Sequence, residues 1–553
     1  MNFLENIFHR CTEASRSPVL REARDGSLVA ATGGELLTLV GEARAFVRKN
    51  GLKKSDRCAL LAPNSIRWAA VNLAIIAEGG VAVPLYARQA PSELVEMMKD
   101  CSPSLILCGD ETLRGAIAAQ WPQAPRSFLF DEIFSAGAGT GSGESATEAP
   151  RPLADGDAVT IIYTSGTSGE AKGVILTVGN VNFMLGATGG RLDLLMGEVG
   201  APERVFHYLP FCFAASWIAL LTFLSRNSIV TVSTDLSKLT EEMKLAAPDY
   251  FLNVPALLER MRAGIEGQFR KWGGVRQTIF DKGREAWMRR RTGRQSFADS
   301  LWLTLAETIF FPAIRKKISP NLKALISGSA PLAIETQLFF QMLGIPVLQV
   351  YGLTETTAIC TMDHPARMQP GRVGPAIDGI EMKLGPGDEV LVRGPNIFGG
   401  YWNRPQAASD AMRDGWFHTG DQGEVDGAGN WRITGRIKNL IVLGSGHNVA
   451  PEPLEEKLLH KIPSAQQVLV VGNGRGFLSA IVTGEVEREK VEQAVEAVNS
   501  DSPHYKRIRA FSLHKEPFTV DNGLLTTNGK LKRDRIAERL RDEIEKLYRE
   551  TKV

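Results

Sequence analysis

Between Tyr163 and Lys172 the chain reads YTSGTSGEAK, ten residues carrying five hydroxyls, two glycines and one lysine. Gly166 and Gly169 free the backbone to turn successive N–H groups toward one concavity. The hydroxyls of Thr164, Ser165, Thr167 and Ser168 add donors, and Lys172 adds a point charge. An oxygen-rich anion, above all a polyphosphate, is the natural guest. The common nucleotide loop needs G-x-x-x-x-G-K-[ST], whereas here Lys172 is followed by Gly173, so the string by itself also reads as a polar turn.

Such a loop has to be mounted on a scaffold. The 553 residues exceed what one hydrophobic core usually serves, which predicts at least two domains. With 44% hydrophobic residues, 23% charged and a formal net charge of +2, the composition is that of an ordinary globular protein and gives no reason to expect nucleic acid as a partner. Cys11, Cys58, Cys101, Cys108, Cys212 and Cys360 are scattered, which predicts free thiols, neither a zinc site nor a disulfide frame, and a reducing compartment. The first residues lack the pattern of a secretory leader and the apolar run WIALLTFL is too short to span a bilayer, so a cytoplasmic location is expected.

Short apolar segments such as RCALLAP, VAVPLY, SLILCG and AVTIIYTS alternate with helical patterns such as IRWAAVNLAIIAEG, the signature of an α/β protein with parallel, helix-covered sheets. Residues 135–156, rich in Gly, Ala, Ser and Pro, predict a flexible surface connection just before the loop. After GRIKNLIVLGSGHNVAPEPLEEKL the pattern becomes a compact α+β run ending in one charged helix, KRDRIAERLRDEIEKLYRE. The expected division is a large N-terminal domain of helix-covered sheets, 1–437, and a smaller mobile α+β domain, 438–553.

Four further strings follow in order: LISGSAPL (325–332), QVYGLTETT (349–357), GWFHTGD (415–421) with ITGRIKN (433–439), and LLTTNGKLKR (524–533). With the loop they resemble the adenylate-forming acyl-CoA synthetase superfamily over nearly the whole chain, and the ending FSLHKEPFTVDNGLLTTNGKLKR resembles its long-chain fatty acyl-CoA synthetase branch. The resemblance implies a ligase that uses ATP and Mg2+ to turn a medium- or long-chain fatty acid into an acyl adenylate and passes the acyl group to CoA. It places the loop 163–173 at the β- and γ-phosphates, Thr354 at the α-phosphate and Glu355 on magnesium, a role that a hard oxygen ligand suits. Tyr351 and Gly352 would pack on adenine, with Gly328, Ser329 and Ala330 as the other wall. The carboxylate of Asp421 can accept from both ribose hydroxyls, and Arg436 offers a fork to ribose and phosphate oxygens. By family position Lys530 is the adenylation lysine, bridging the incoming carboxylate and the α-phosphate. Lys532 and Arg533 are expected as plain surface charges. A hinge at Lys438 would rotate the C-terminal domain, bringing residues 444–449 to the active centre to leave room for pantetheine.

Several positions depart from the family pattern. Ala171 stands where Pro is frequent, Val178 where His is frequent, Asn528 where Ser is frequent, and Phe213 replaces a common histidine, which removes any polar role there. The stretch FHYLPFCFAASWIALL suits an apolar acyl channel. Residues 270–294 hold nine basic and two acidic residues, with Val275, Ile279 and Ala286/Trp287 on one helical face. That pattern predicts either a peripheral membrane contact or a solvated helix packed on the body. Three other activities share these features: loading of an acyl carrier protein, the luciferin-type oxygenase reaction, and non-catalytic nucleotide or lipid binding. Oligomeric state is not encoded in any of these motifs.

Overall fold

The computed structural model describes residues 1–135, 148–165, 171–197, 200–526 and 529–551. Two sheets dominate. One has the strand order Ser127–Leu129, Leu105–Cys108, Arg57–Leu61, Val81–Pro84, Ala158–Ser165 and Ala171–Thr177, parallel except for the last pair. The other runs from Thr361–Met362 through Val347–Tyr351, Ala324–Ser327, Tyr250–Asn253, Glu203–His207 and Ser228–Ser233 to the antiparallel pair Pro18–Arg24 and Ser27–Thr32. Strands such as Leu105–Cys108 and Ala324–Ser327 are buried along their whole length, as expected of parallel strands covered on both faces.

Helices buried on every side lie in the largest core. Ile66–Ala77 starts at Ser65, whose hydroxyl accepts from the Trp68 N–H at 3.0 Å, and from Ile66 onward only Arg67 escapes burial. Its Asn72 accepts from the Trp217 indole at 3.0 Å, tying it to the equally apolar helix Ala214–Leu224. A helix apolar all round must be enclosed, and these two are.

A third, antiparallel sheet joins Glu381–Leu384, Glu389–Arg393 and Trp416–Val425, with Met412–Arg413 and Trp431–Arg436 paired to the last. Beyond it come the short pair Ile441–Val442 and Asn448–Val449 and the sheet Gln467–Val471, Leu478–Thr483 and Ile508–His514. These strands and the helices Glu452–Lys461 and Arg488–Ser500 enclose a core of their own.

Two expectations are corrected, the single terminal helix and the plain surface charge of Arg533. Of the predicted 135–156 connection, residues 136–147 lie outside the described residues; just after them the buried Arg44 donates to the Ala149 carbonyl at 3.0 Å, and Arg48 pairs with Glu148 at 2.8 Å. The terminal helix is two, Arg533–Arg539 and Arg541–Glu550, because the chain bends at Leu540 to bury that side chain with Leu469, Ile481 and Phe518. Arg533 is no surface charge. It is clamped to the buried Glu455, which also accepts from the Val470 N–H at 2.7 Å, and Lys532 lies 3.7 Å from Glu93. In the basic helix Gly274–Arg291, Phe280, Gly283 and Ala286 face the core and only Val275 of the predicted apolar face stands in solvent. All six cysteines are buried and unpaired.

Candidate active site

The predicted strings 163–173, 328–330 and 351–355 stand at the carboxyl ends of the strands Ala158–Ser165, Ala324–Ser327 and Val347–Tyr351, where open α/β sheets hold their ligands. Strands Ala158–Ser165 and Ala171–Thr177 form a hairpin pairing Tyr163 with Gly173, Thr164 with Lys172 and Ser165 with Ala171. Gly166, Thr167, Ser168 and Gly169, the tip of the phosphate-type loop, lie outside the described residues. Gly173 is required by close packing, since a Cβ there would sit 2.7 Å from Ile161 and 3.3 Å from Trp402.

That crowding comes from a segment that carries none of the motifs. Residues 399–402 run alongside the hairpin, with Trp402 N–H donating to the Gly173 carbonyl at 2.7 Å and Val174 bridged to Tyr401. Tyr401 links two predicted site residues. Its ring carries the Lys172 ammonium at 5.0 Å, and its hydroxyl donates to Glu355 at 2.8 Å. Burial, then the charge of Glu355, hold the phenol well above its usual pKa, so it stays a donor. The signal in the sequence is faint: an aromatic pair after a double glycine, GGYW.

Thr354 and Glu355 sit in a single 3-10 turn, Thr354–Thr356, at the end of strand Val347–Tyr351. The turn is locked from behind by the Thr357 hydroxyl donating to Asn396 O at 2.7 Å and by the Phe398 N–H donating to Glu355 O at 2.9 Å. Gly352 admits no side chain, because a Cβ would fall 2.0 Å from the Ala358 carbonyl oxygen. On the neighbouring strand end, Gly328 packs directly on Val350, and Ser329, in a left-handed conformation at φ 73°, and Ala330 lie exposed beside it.

Asp421 and Arg436 face one another across the antiparallel pair Trp416–Val425 and Trp431–Arg436, with Arg436 Nε 2.8 Å from Asp421 Oδ1. Asp421 Oδ2 accepts from the Tyr351 hydroxyl at 2.8 Å. The residue is 3% exposed. Burial raises its pKa, and Arg436, Tyr351 and Lys530 oppose that rise. The arrangement joins the strand-end aromatic and the carboxylate, which the sequence reading treated as separate contacts, into one unit.

Lys530 belongs to the C-terminal domain. Its loop is held by a local turn: Lys530 N–H donates to the Thr526 hydroxyl at 3.0 Å, Thr526 N–H to Lys530 O at 2.8 Å, and Gly529 has φ 74°. The residue as a whole is exposed. Burial and then Arg436 push its pKa down, while Asp421 and Glu355 hold it up. The structure therefore joins Asp421, Arg436 and Tyr351 into one unit and Glu355, Tyr401 and Lys172 into another, with Lys530 coupled by its charge to Asp421, Arg436 and Glu355. Lys438 lies apart, exposed in the 3-10 turn Ile437–Asn439 between the third sheet and the C-terminal strands. Residues 444–447 form an exposed turn, on which His447 stacks against Tyr505 at 4.4 Å.

A layered body of helix-covered sheets with a small second domain is the architecture of adenylate-forming enzymes. The chain belongs to the AMP-binding enzyme family: the family pattern matches residues 10–402, and that of the AMP-binding enzyme C-terminal domain matches 438–552. It is 28% identical over 570 residues to the long-chain-fatty-acid–CoA ligase FadD15 of Mycobacterium bovis, covering 95% of this chain and 93% of that one. It is 26% identical over 599 residues to the chloroplastic long-chain-fatty-acid–[acyl-carrier-protein] ligase AEE15 of Arabidopsis thaliana, covering 91% and 80%. The fold matches ATP-bound MatB from Rhodopseudomonas palustris with a TM-score of 0.74 at 24% identity, over 98% of this chain and 100% of that one.

Proposed function

We propose that this protein is an AMP-forming ligase that activates a medium- or long-chain fatty acid with ATP and transfers the acyl group to CoA. The observation that carries the reading is the joined set at the strand ends, with Asp421 held by Arg436 at 2.8 Å and by the Tyr351 hydroxyl at 2.8 Å, and Glu355 held by Tyr401 at 2.8 Å beside Lys172; to this set Lys530 of the smaller domain supplies the cation. A carboxylate and the α-phosphate repel one another as they meet, and a cation between them lowers that barrier. The carboxylate oxygen attacks the α-phosphorus, the bond to the β-phosphate oxygen breaks, and pyrophosphate leaves. The thiol of CoA then attacks the acyl carbon, losing its proton, and AMP departs with the electron pair of the broken C–O bond.

Asp421 and Arg436 hold the ribose, and Tyr351, Gly328, Ser329 and Ala330 flank the base. Lys172 and the hydroxyls of the 164–168 segment hold the distal phosphates. Glu355 fits a magnesium ion, which binds through one or two carboxylates plus substrate phosphates and would neutralise charge on the leaving pyrophosphate. Tyr401 fixes that carboxylate's orientation. The thiol needs the space that Lys530 occupies, so the C-terminal domain rotates at Lys438 and exchanges Lys530 for residues 444–449.

The test is pyrophosphate release from ATP and magnesium across acids from acetate to stearate and benzoate, with and without CoA. Release with long acids, and thioester only when CoA is present, is the expected result. Release that yields no thioester with CoA would favour a carrier-protein acceptor, a reading that the likeness to AEE15 supports. No release with any acid would overturn the assignment.

A further inference from the structure

The helix Phe297–Ile309 presents an apolar face to solvent. Phe297 is 93% exposed, Leu301 59% and Ile309 49%, and with the half-buried Leu305 they recur every fourth residue along one side. The opposite side is already used. Leu303 and Ala306 are buried against the helix Gly274–Arg291, so close that a Cβ on Gly283 would lie 2.4 Å from the Ala306 Cβ. Asp299 is turned inward to Arg289 at 2.5 Å, and Glu307 lies 3.9 Å from Arg290 on the flank.

The stripe continues at the Ile309 end. Phe269 meets the rings of both Phe310 and Trp272 at 5.1 Å, which brings the exposed turn of Trp272 and Val275, 46% and 74% exposed, to that end of the helix. Both ends are rimmed by cations. Arg291 and Arg294 stand before Phe297, Lys271 and Arg276 flank Trp272, and Lys316 and Lys317 follow in Phe311–Ile318. An apolar stripe framed by exposed arginines and lysines matches an anionic lipid surface in both hydrophobicity and charge.

We propose that Phe297–Ile309, with the Trp272–Val275 turn, is the surface on which this protein rests on an anionic bilayer, the helix lying in the plane of the interface. Residues Phe297–Ile318 together are long and apolar enough to cross a membrane, but they do not form a span. The helix breaks at Phe310, Pro312 opens the next one, Arg315, Lys316 and Lys317 follow, and one side is committed to protein. The membrane contact thus lies mainly on the neighbour of the basic helix, which buries Phe280 and Ala286 in the core and lends the surface only its first turn at Val275.

Vesicle binding is measured without turnover, so it succeeds or fails separately from the ligase reading. The full chain is sedimented with phosphatidylcholine vesicles with and without phosphatidylglycerol. Binding to the anionic vesicles is expected, weakened by salt, and lowered at least about tenfold by the triple change Phe297→Ser, Leu301→Ser and Ile309→Ser. The unfolding midpoint of that variant should match the parent, since the three side chains are exposed; Leu301→Glu serves as a second probe. Equal vesicle binding by parent and triple variant overturns the proposal. So does absence of vesicle binding by the parent, including the case in which the triple change instead dissolves a dimer.

Discussion

Removing the hydroxyl of Tyr401 isolates a contact on which the candidate site depends. Tyr401→Phe keeps the ring that faces Lys172 at 5.0 Å and Phe398 at 4.7 Å, and loses only the 2.8 Å bond to Glu355. A hydrogen bond to a charged acceptor contributes about 1.5–3 kcal/mol. Glu355 is only partly buried, so the lower end applies, which is about tenfold in kcat/KM for ATP. Glu355 is the proposed magnesium ligand, so the loss should appear as a rightward shift in the magnesium dependence of ATP–pyrophosphate exchange. Tyr401→Ala also removes the platform under Lys172, a cation–π contact of about 0.5–1 kcal/mol at partly exposed sites, and should cost a further few-fold. Burial and Glu355 hold the phenol well above its usual pKa, so the Phe variant's deficit should be the same from pH 6 to pH 9. A Phe variant with parental magnesium dependence and kcat/KM would refute the positioning role. An Ala variant no worse than Phe would refute the link to Lys172.

Lys530→Ala should abolish pyrophosphate release while ATP still binds by calorimetry; undiminished release would remove that lysine from the chemistry. Lys438→Pro should spare the first half-reaction and slow thioester formation in single-turnover experiments, whereas equal loss of both would count against rotation. Arg533→Met leaves the Glu455 carboxylate buried and unpaired and should cost about 3–5 kcal/mol in denaturant unfolding, with Glu455→Leu added to it restoring most of the loss; a single change within about 0.5 kcal/mol would show the pair to be unimportant. His207, buried and stacked on Phe211 at 5.1 Å, is pushed down from 6.5 to about 4 by burial. The unfolded chain therefore takes up this proton first, and stability is lost as pH falls from 6.5 to 4, by about 3 kcal/mol. Asp363, raised to about 7 by burial, works in the opposite sense over the same window. The discriminating measurement is the pH dependence of the difference between His207→Gln and the parent, and a difference that stays flat would be the contrary result.

What the sequence makes legible is what short strings encode. The hairpin around the hydroxyl-rich loop, the TGD and TGR pair and the lysine turn are local, and so are the alternating strands and helices that predict a helix-covered parallel sheet. Tyr401 escapes because its role depends on a segment folding back against the strand Ala171–Thr177, a pairing that no local pattern announces. Arg533 was hidden by its neighbours: a basic run reads as a solvated face until the structure sets Glu455 opposite one member of it. Helical periodicity finds an apolar face but not which neighbour will claim it. Ala286 on the basic helix is fully buried, while Phe297, just beyond that helix, stands in solvent.

The same contrast explains how one lysine can be both held and released. Arg533 and Glu455 bind the Lys530 loop into the C-terminal domain through a buried, charge-assisted pair, so the loop must travel with that domain. Across the cleft the ties are weaker. Lys532 lies 3.7 Å from Glu93, and His460 lies 3.8 Å from Glu335 and 3.3 Å from Arg262, all with solvent access. Exposed pairs of this kind contribute about 0–1 kcal/mol each. The proposed rotation at Lys438 would break only cheap contacts among these and leave the costly one intact. Strengthening the cleft pairs, rather than the buried one, is what should trap the lysine in place: Lys532→Arg, which gives Glu93 a bidentate partner, should slow thioester formation more than pyrophosphate release, and the opposite order would mean that these contacts do not gate the movement.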